Sequence, residues 1–140
     1  MKALIVLIAV VSGVSQAAPA PLLVKRVTNG SVAPAYQYST TCKVFDKEII
    51  IENIVGGKIA TASRQAFNIG GDVRALITAA AAGTVTKEAP IFGGGITEYT
   101  ANSGRGVVQL KTEGGEPLNN DAEEAATLIN LADLLCKVGL

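Results

Sequence analysis

The pairing of two cysteines, Cys42 and Cys136, sets the strongest restriction on how this 140-residue chain folds. They are its only cysteines, so one disulfide is the single internal pairing that they allow. Such a bridge persists in an oxidising compartment, and two free thiols are the alternative. Closing a loop of this length stabilises a fold by roughly 4–5 kcal/mol in the chain-entropy model. We therefore expect a bridge that joins an early element of the fold to the last one.

The first 17 residues have the pattern of a secretory signal peptide. A positive charge at Lys2 precedes the apolar run of residues 3–11, and Ser15-Gln16-Ala17 fits the small-x-small rule for cleavage. This run is too short to cross a bilayer, and no later run approaches the ~20 residues that a spanning helix needs. We therefore expect a secreted, extracellular protein without a membrane span, periplasmic if the source is bacterial.

Residues 18–26, APAPLLVKR, lead into the domain and admit two interpretations. Their prolines and the dibasic pair Lys25-Arg26 are typical of a propeptide that is removed after Arg26. The same composition also fits a flexible, exposed tail. Asn29 begins an Asn-Gly-Ser sequon, which is a glycosylation site only in a eukaryotic secretory route. The folded domain is then expected to occupy residues 27–140.

The first part of the domain contains one clear strand and one ambiguous segment. Apolar and polar residues alternate over residues 36–45, which predicts a half-buried strand with Cys42 facing inward. Residues 47–64 carry isoleucines at helical spacing, and we expect a helix there. The triple isoleucine and the Gly56-Gly57 pair indicate instead a buried strand that ends in a turn.

The middle of the chain contains a helix and a hairpin. Residues 73–82 follow Asp72 as a cap and stop before Gly83, which is the usual pattern of a helix with both ends marked. Residues 96–100 and 106–112 are two strand patterns separated by a polar Asn-Ser-Gly turn. We expect them to pair as an antiparallel hairpin.

The last segment is the best-defined helix in the sequence. Asn120 or Asp121 is its expected cap, and acidic residues in the first turn complement the positive end of the helix dipole. Its apolar stripe consists of Ala125, Leu128, Ile129, Ala132, Leu135 and Cys136. The sequence as a whole predicts a single α+β domain with an antiparallel sheet, two or three helices and one disulfide between Cys42 and Cys136.

Charge and composition exclude several classes of function. Without Lys2, Lys25 and Arg26 the chain keeps nine basic against twelve acidic residues, so it lacks the basic surface that binds phosphate backbones. No histidine is present, which excludes histidine triads and the usual zinc sites. No glycine-rich nucleotide motif occurs, and the acidic residues 113–124 do not alternate as in a calcium loop. We expect no cofactor, no metal and a monomer.

Two short motifs carry the only chemistry that the sequence suggests. They are KEAPIF at residues 87–92 and RGVV at residues 105–108. Together with Cys42, Phe67-Asn68, Tyr99 and Cys136, these motifs resemble the small secreted fungal ribonucleases over residues 38–110. Secreted effectors that have this ribonuclease-like fold and have lost catalysis are similar in size and cysteine arrangement.

The resemblance implies roles for two residues. Glu88 would be the general base that takes the proton of a ribose 2′-OH, and Arg105 would bind the adjacent phosphate through its guanidinium fork. Both histidines of that family are missing here, so no residue is available to protonate the leaving 5′-oxygen. Losing a positioned general acid typically lowers the rate by 10²–10⁴-fold.

We therefore expect a secreted, non-catalytic binding protein, of the ribonuclease-like effector type, that acts on a host or neighbouring macromolecule. Its partner is a protein or another macromolecule that the sequence does not identify. An active secreted ribonuclease that uses Glu88 and Arg105 is one alternative. A small secreted inhibitor or a cell-surface structural protein is another.

Overall fold

The structure is a computed structural model and describes residues 18–30 and 32–137. The predicted signal peptide, residues 1–17, lies outside this part. The described residues form two helices, α1 (Asp72–Ala81) and α2 (Glu123–Lys137), and a short 3-10 turn covers Pro34–Tyr36. The eight strands are β1 (Leu23–Thr28), β2 (Tyr38–Val44), β3 (Glu48–Val55), β4 (Lys58–Ala66), β5 (Val85–Lys87), β6 (Ile96–Asn102), β7 (Val107–Glu113) and β8 (Leu118–Asn120).

All eight strands form one antiparallel sheet in the order β4-β3-β2-β1-β6-β7-β8-β5. The expected antiparallel sheet, two helices and one disulfide are confirmed, although the described domain is mostly sheet. Both helices pack on one face of this sheet, where α2 contacts β1 and α1 contacts β7. The core between them includes the fully buried side chains of Leu23, Val44, Ile77, Leu110 and Leu128. Neither helix in the described part is long and apolar enough to cross a membrane.

Strand β1 corrects the interpretation of residues 18–26 as a flexible tail. It lies in the middle of the sheet, where Lys25 pairs with Cys42 on one side and with Tyr99 on the other. Leu22 and Leu23 are buried in the core. The alternation of inward and outward side chains here is short, and the neighbouring prolines hide it in the sequence. Burial of the two leucines holds Leu23–Thr28 in the sheet.

The predicted helix over residues 47–64 is wrong, because these residues form the hairpin of β3 and β4. Its β-branched isoleucines favour a strand, since Ile49 and Ile51 face the core while their neighbours face away. Gly56 and Gly57 both have positive φ, 56° and 79°, as a two-residue hairpin turn requires. The alternative interpretation of the triple isoleucine and the glycine pair is therefore the correct one.

The remaining predicted elements are confirmed with small changes at their ends. The strand over residues 36–45 is β2, in which Cys42 is buried, and the expected hairpin is formed by β6 and β7. In α1, Asp72 is the first helical residue rather than the cap. A side chain at Gly83 would overlap the Asn120 amide, so this glycine also permits a close approach between the end of α1 and β8.

Helix α2 closes the fold as its apolar stripe predicts. Ala125, Leu128, Ala132 and Leu135 are buried, and Ile129 packs against the core from its rim. Asn120 receives a hydrogen bond from the Ala122 amide and so ends the preceding strand at the start of the helix. Cys136 near the end of α2 forms the predicted disulfide with Cys42 of β2, and their Cα atoms are 5.9 Å apart.

A polar cluster of Lys25, Tyr99 and Asp133 joins α2 to the centre of the sheet. Lys25 Nζ and Tyr99 Oη both donate hydrogen bonds to Asp133 Oδ1, at 2.7 Å and 2.9 Å. Burial opposes ionisation of Asp133, but the bonds from Lys25 and Tyr99 outweigh it and lower the pKa of Asp133. Burial, and then the bond to Asp133, raises the pKa of Tyr99. The cluster is therefore arranged for an ionised Asp133 and a neutral Tyr99.

This cluster predicts how stability depends on pH. Because the pKa of Asp133 is lower in the folded state, its contribution is complete above the ordinary aspartate pKa of about 3.9. That contribution is lost as the pH falls from there through the folded pKa. Because the pKa of Tyr99 is raised, its contribution is complete below the ordinary tyrosine pKa of about 10 and is lost at higher pH. Urea titrations from pH 2 to pH 11 measure both limbs.

Asp133→Asn removes the ionised partner of Lys25, so we expect a loss of about 1–3 kcal/mol at pH 7 and a flatter acid limb. Asp46→Asn is the matched control, because Asp46 pairs with Arg74 at 2.6 Å and both side chains are mostly exposed. An exposed pair of this kind contributes about 0–1 kcal/mol. Equal losses in the two variants would contradict a special role for Asp133.

Candidate functional site

The connections β1–β2, β3–β4, β5–β6 and β7–β8 all reach the same end of the sheet. They do so because every strand is antiparallel to its neighbours, and each of these connections follows a strand that runs toward that end. We call this region the loop end; it comprises residues 29–30 with 32–37, 56–57, 88–95 and 114–117, together with the strand residues next to them. Loops on a rigid scaffold are where binding residues are concentrated.

Exposed apolar side chains are concentrated at the loop end. Phe92 is 94% exposed and Tyr36 is 77% exposed, although each is a large aromatic residue. Seven of the ten large hydrophobic residues exposed in the described part belong to this region: Val32, Tyr36, Tyr38, Val55, Ile59, Ile91 and Phe92. Single exposed apolar residues are ordinary, but a group of them marks an interaction surface.

Backbone hydrogen bonds join the four connections of the loop end in two pairs, and the two pairs meet at Gly30 and Gly94. The Ile91 amide donates to the Gly115 carbonyl at 2.8 Å, and the Gly56 amide donates to the Gln37 carbonyl at 2.8 Å. Gly30 has a φ of 80°, and a side chain there would overlap the Gly94 carbonyl. The loop that carries Phe92 is therefore hydrogen-bonded to the β7–β8 connection and lies close against Gly30 of the β1–β2 connection, which limits the entropy lost when it binds.

Two hollows lie side by side at the loop end. The larger, about 500 Å³, lies between residues 90–94, Gly30 and Gly115. The smaller, about 300 Å³, lies on the sheet face away from the helices and shares Gly30 with the first. Its polar lining includes Arg26 and Glu98, whose charged groups are 3.7 Å apart. The loop end thus combines exposed apolar side chains with hollows large enough to hold a ligand.

The structure does not bring Glu88 and Arg105 together. Glu88 follows β5 at the loop end, where its amide donates to the Pro117 carbonyl at 2.9 Å. Arg105 lies in the turn between β6 and β7 at the opposite end of the sheet. Strand β7, seven residues long, spans most of the distance between these ends, which is about 20 Å at about 3.3 Å per residue. A ribose hydroxyl and its adjacent phosphate are too close together to contact both residues.

Three other predicted sites have defined surroundings in the structure. Lys25 belongs to the Asp133 cluster, and Arg26 is exposed in β1 beside Glu98. Asn29 Nδ2 donates to the Tyr36 carbonyl at 2.9 Å, and Asn29 Oδ1 accepts from the Tyr38 amide at 3.0 Å. Cleavage after Arg26, one of the two sequence-based interpretations of residues 18–26, would remove most of β1 from the sheet. Glycosylation of Asn29 stays a prediction, and a glycan there would stand at the loop end.

Residue types suited to metal binding do not cluster in residues 18–30 and 32–137. Absence of metal and cofactor stays a prediction. The loop end itself was not predicted as a site, although its main signal is visible in the sequence. Phe92 stands between Pro90 and three consecutive glycines, a composition that places an aromatic ring on a loop rather than in a core.

Comparison of this chain with protein-family models, curated proteins and solved structures finds no match.

Proposed function

We propose that this is a secreted, non-catalytic binding protein that contacts a protein partner through its loop end. The observation that carries the proposal is the nearly complete exposure of Phe92 on a loop that is hydrogen-bonded to the neighbouring β7–β8 connection. Aromatic residues that fill a pocket of the partner provide much of the affinity of protein interfaces. The cysteine pair and the leader pattern support an extracellular setting.

The chemistry of the loop end favours a protein over a nucleic acid. Its exposed charged residues have both signs: Lys58 and Lys87 are basic, and Glu88 and Glu116 are acidic. Nucleic-acid surfaces need an excess of positive charge, whereas protein interfaces combine an apolar centre with a polar rim of both signs. The effector-type hypothesis and the inhibitor hypothesis both use a surface of this kind.

Two observations support a function without catalysis. The sequence has no histidine, and Glu88 and Arg105 lie at opposite ends of the sheet. The ribonuclease alternative is tested by incubating the purified protein with single-stranded RNA beside a Glu88→Gln variant. RNA cleavage that this substitution abolishes would overturn the non-catalytic assignment.

Phe92→Ser tests the loop end as the contact surface. Binding to a partner isolated from the surrounding extracellular extract is expected to weaken at least tenfold, because a pocket-filling aromatic side chain is lost. Leu134→Ser is the matched control, since Leu134 is 64% exposed but lies on α2, away from the loop end. Both side chains are exposed, so the stability of both variants is expected to change by less than about 0.5 kcal/mol.

Surface plasmon resonance with the immobilised partner provides the measurement. The opposite pair of results is that Phe92→Ser binds like the unaltered protein and Leu134→Ser binds weakly. It would show that the partner contacts the helices rather than the loop end. That result would contradict the proposal.

A further inference from the structure

The smaller of the two hollows at the loop end has a lining whose charges cancel. It has a volume of about 300 Å³ and lies on the sheet face away from the helices. Arg26 and Glu98 are the only charged residues in its lining, and they stand directly opposite each other in β1 and β6. The hollow therefore contains one positive and one negative group side by side.

This charged pair keeps its hydrogen-bonding groups available. The nearest atoms, Arg26 Nη1 and Glu98 Oε2, are 3.7 Å apart, which is too far for a hydrogen bond. Both side chains are about half exposed, at 52% and 41%. The guanidinium group therefore offers donors, and the carboxylate offers acceptors, to a molecule in the hollow.

Two hydroxyl groups lie beside the charged pair. Thr28 and Ser39 are directly opposite each other in β1 and β2, and both line the hollow. The side-chain hydrogen bonds next to them are made by Asn29 and Gln37, and none of these uses either hydroxyl. Ser39 is only 6% exposed, and no side-chain oxygen in the described part is both sealed from solvent and unpaired. Its hydroxyl therefore opens into the hollow, where it can both donate and accept.

Apolar side chains stand at both ends of the same row of residues. Ile54 lies opposite Ser39 in β3, and Ile96 lies opposite Thr28 in β6. Both isoleucines line the hollow, and Tyr38, which is 48% exposed, adds an aromatic side chain. Apolar surface thus borders the polar groups on two sides.

The composition of this lining selects the chemistry of its ligand. An anion would be repelled by Glu98, a cation would be repelled by Arg26, and a purely apolar molecule would leave both groups without partners. A pyranose ring meets these demands, because neighbouring hydroxyl groups can accept from a guanidinium group and donate to a carboxylate. Its C–H groups supply apolar surface for Ile54 and Ile96.

We propose that this hollow is a binding site for a neutral saccharide, whose hydroxyl groups bond to Arg26, Glu98 and Ser39. Phe92 does not line the hollow, so the inference goes beyond the proposed contact with a protein partner and does not depend on it.

The test titrates the complete, ¹⁵N-labelled protein with four neutral trisaccharides: maltotriose, cellotriose, mannotriose and triacetylchitotriose. We expect at least one of them to bind with a dissociation constant on the order of 1 mM or lower. It should shift the amide signals of Gly30, Ser39 and Gly57, which border the hollow. Trigalacturonate, which is acidic, and glycylglycine, which is zwitterionic, are expected to bind at least tenfold more weakly.

Glu98→Gln tests the balance of charge. It leaves Arg26 without a counter-charge, so trigalacturonate is expected to bind at least tenfold more tightly to this variant than to the unaltered protein. Glu48→Gln is the matched control, because Glu48 pairs with Arg64 at 3.2 Å and both residues lie outside the lining. The control is expected to bind every ligand as the unaltered protein does.

Ser39→Ala tests the hydroxyl group in the hollow. The loss of one hydrogen bond is expected to weaken saccharide binding by about threefold to tenfold. Thr41→Ala is its control, since it removes a hydroxyl two residues further along β2 and outside the lining. Phe92→Ser is expected to bind the saccharide normally, which separates this site from the contact with a protein partner.

Four results would each overturn the inference. The first is that none of the four trisaccharides binds at about 20 mM. The second is that the shifted amides lie away from the hollow. The third is that glycylglycine or trigalacturonate binds the unaltered protein more tightly than every neutral trisaccharide. The fourth is that Ser39→Ala and Thr41→Ala weaken saccharide binding equally.

Discussion

A chain that begins at Val27 is expected not to fold. Removing residues up to Arg26 would delete Leu22 and Leu23 from the core, at a cost of about 1.5–3 kcal/mol each. It would also leave β2 and β6 without the strand that lies between them and would remove Lys25 from Asp133. The summed loss is comparable with the 5–15 kcal/mol that stabilises a typical domain.

Circular dichroism and thermal melting of the chain that begins at Val27 measure this effect, beside a control chain that begins at Ala18. The control is expected to melt cooperatively, and the shorter chain is expected to show no transition. Intact mass of the mature protein from its source is a second check, with Lys25 and Arg26 expected to be retained. A cooperative transition in the shorter chain would show that β1 is dispensable and that cleavage after Arg26 is compatible with the fold.

Removal of the disulfide is expected to have the next largest effect. The bridge closes a loop with a sequence separation of 94 residues, and opening it should lower the free energy of unfolding by roughly 4–5 kcal/mol. Cys42→Ala combined with Cys136→Ala makes this change without adding polar groups to the interior, where both cysteines are buried. Urea unfolding monitored by circular dichroism gives the free energy.

Reduction of the unaltered protein is the control for the double alanine variant. It opens the same loop but keeps both sulfur atoms in the core, so the two losses are expected to agree within about 1 kcal/mol. A loss below about 1 kcal/mol in both would contradict the view that the bridge stabilises the fold by restricting the unfolded chain.

The parts of this fold that the sequence predicts are those with strong local patterns. Helix α2 has caps, an apolar stripe and acidic residues at its positive end, and the β6–β7 hairpin has a turn between two alternating runs. For the β3–β4 hairpin the sequence pattern predicts a helix, because its isoleucines satisfy both helix and strand spacing over a short window. The preference of β-branched residues for strands and the positive φ of Gly56 and Gly57 explain why these residues form a hairpin and not a helix.

Elements that depend on distant partners could not be predicted. Strand β1 is held by β2 and β6, and the three-residue strands β5 and β8 exist only because they pair with each other and with β7. The loop end likewise results from strand direction, which joins residues far apart in sequence. Glu88 and Arg105 were singled out by a family resemblance, and that resemblance could not indicate that the sheet would separate them.

The central position of β1 also determines when this protein can fold relative to its synthesis. Strand β1 needs β6, whose Tyr99 lies 74 positions after Lys25, and Cys42 can pair only with Cys136, which is 94 residues further along the chain. Contacts this distant in sequence make folding slow. The sheet and the bridge therefore cannot be completed on the nascent chain until these distant residues have been synthesised.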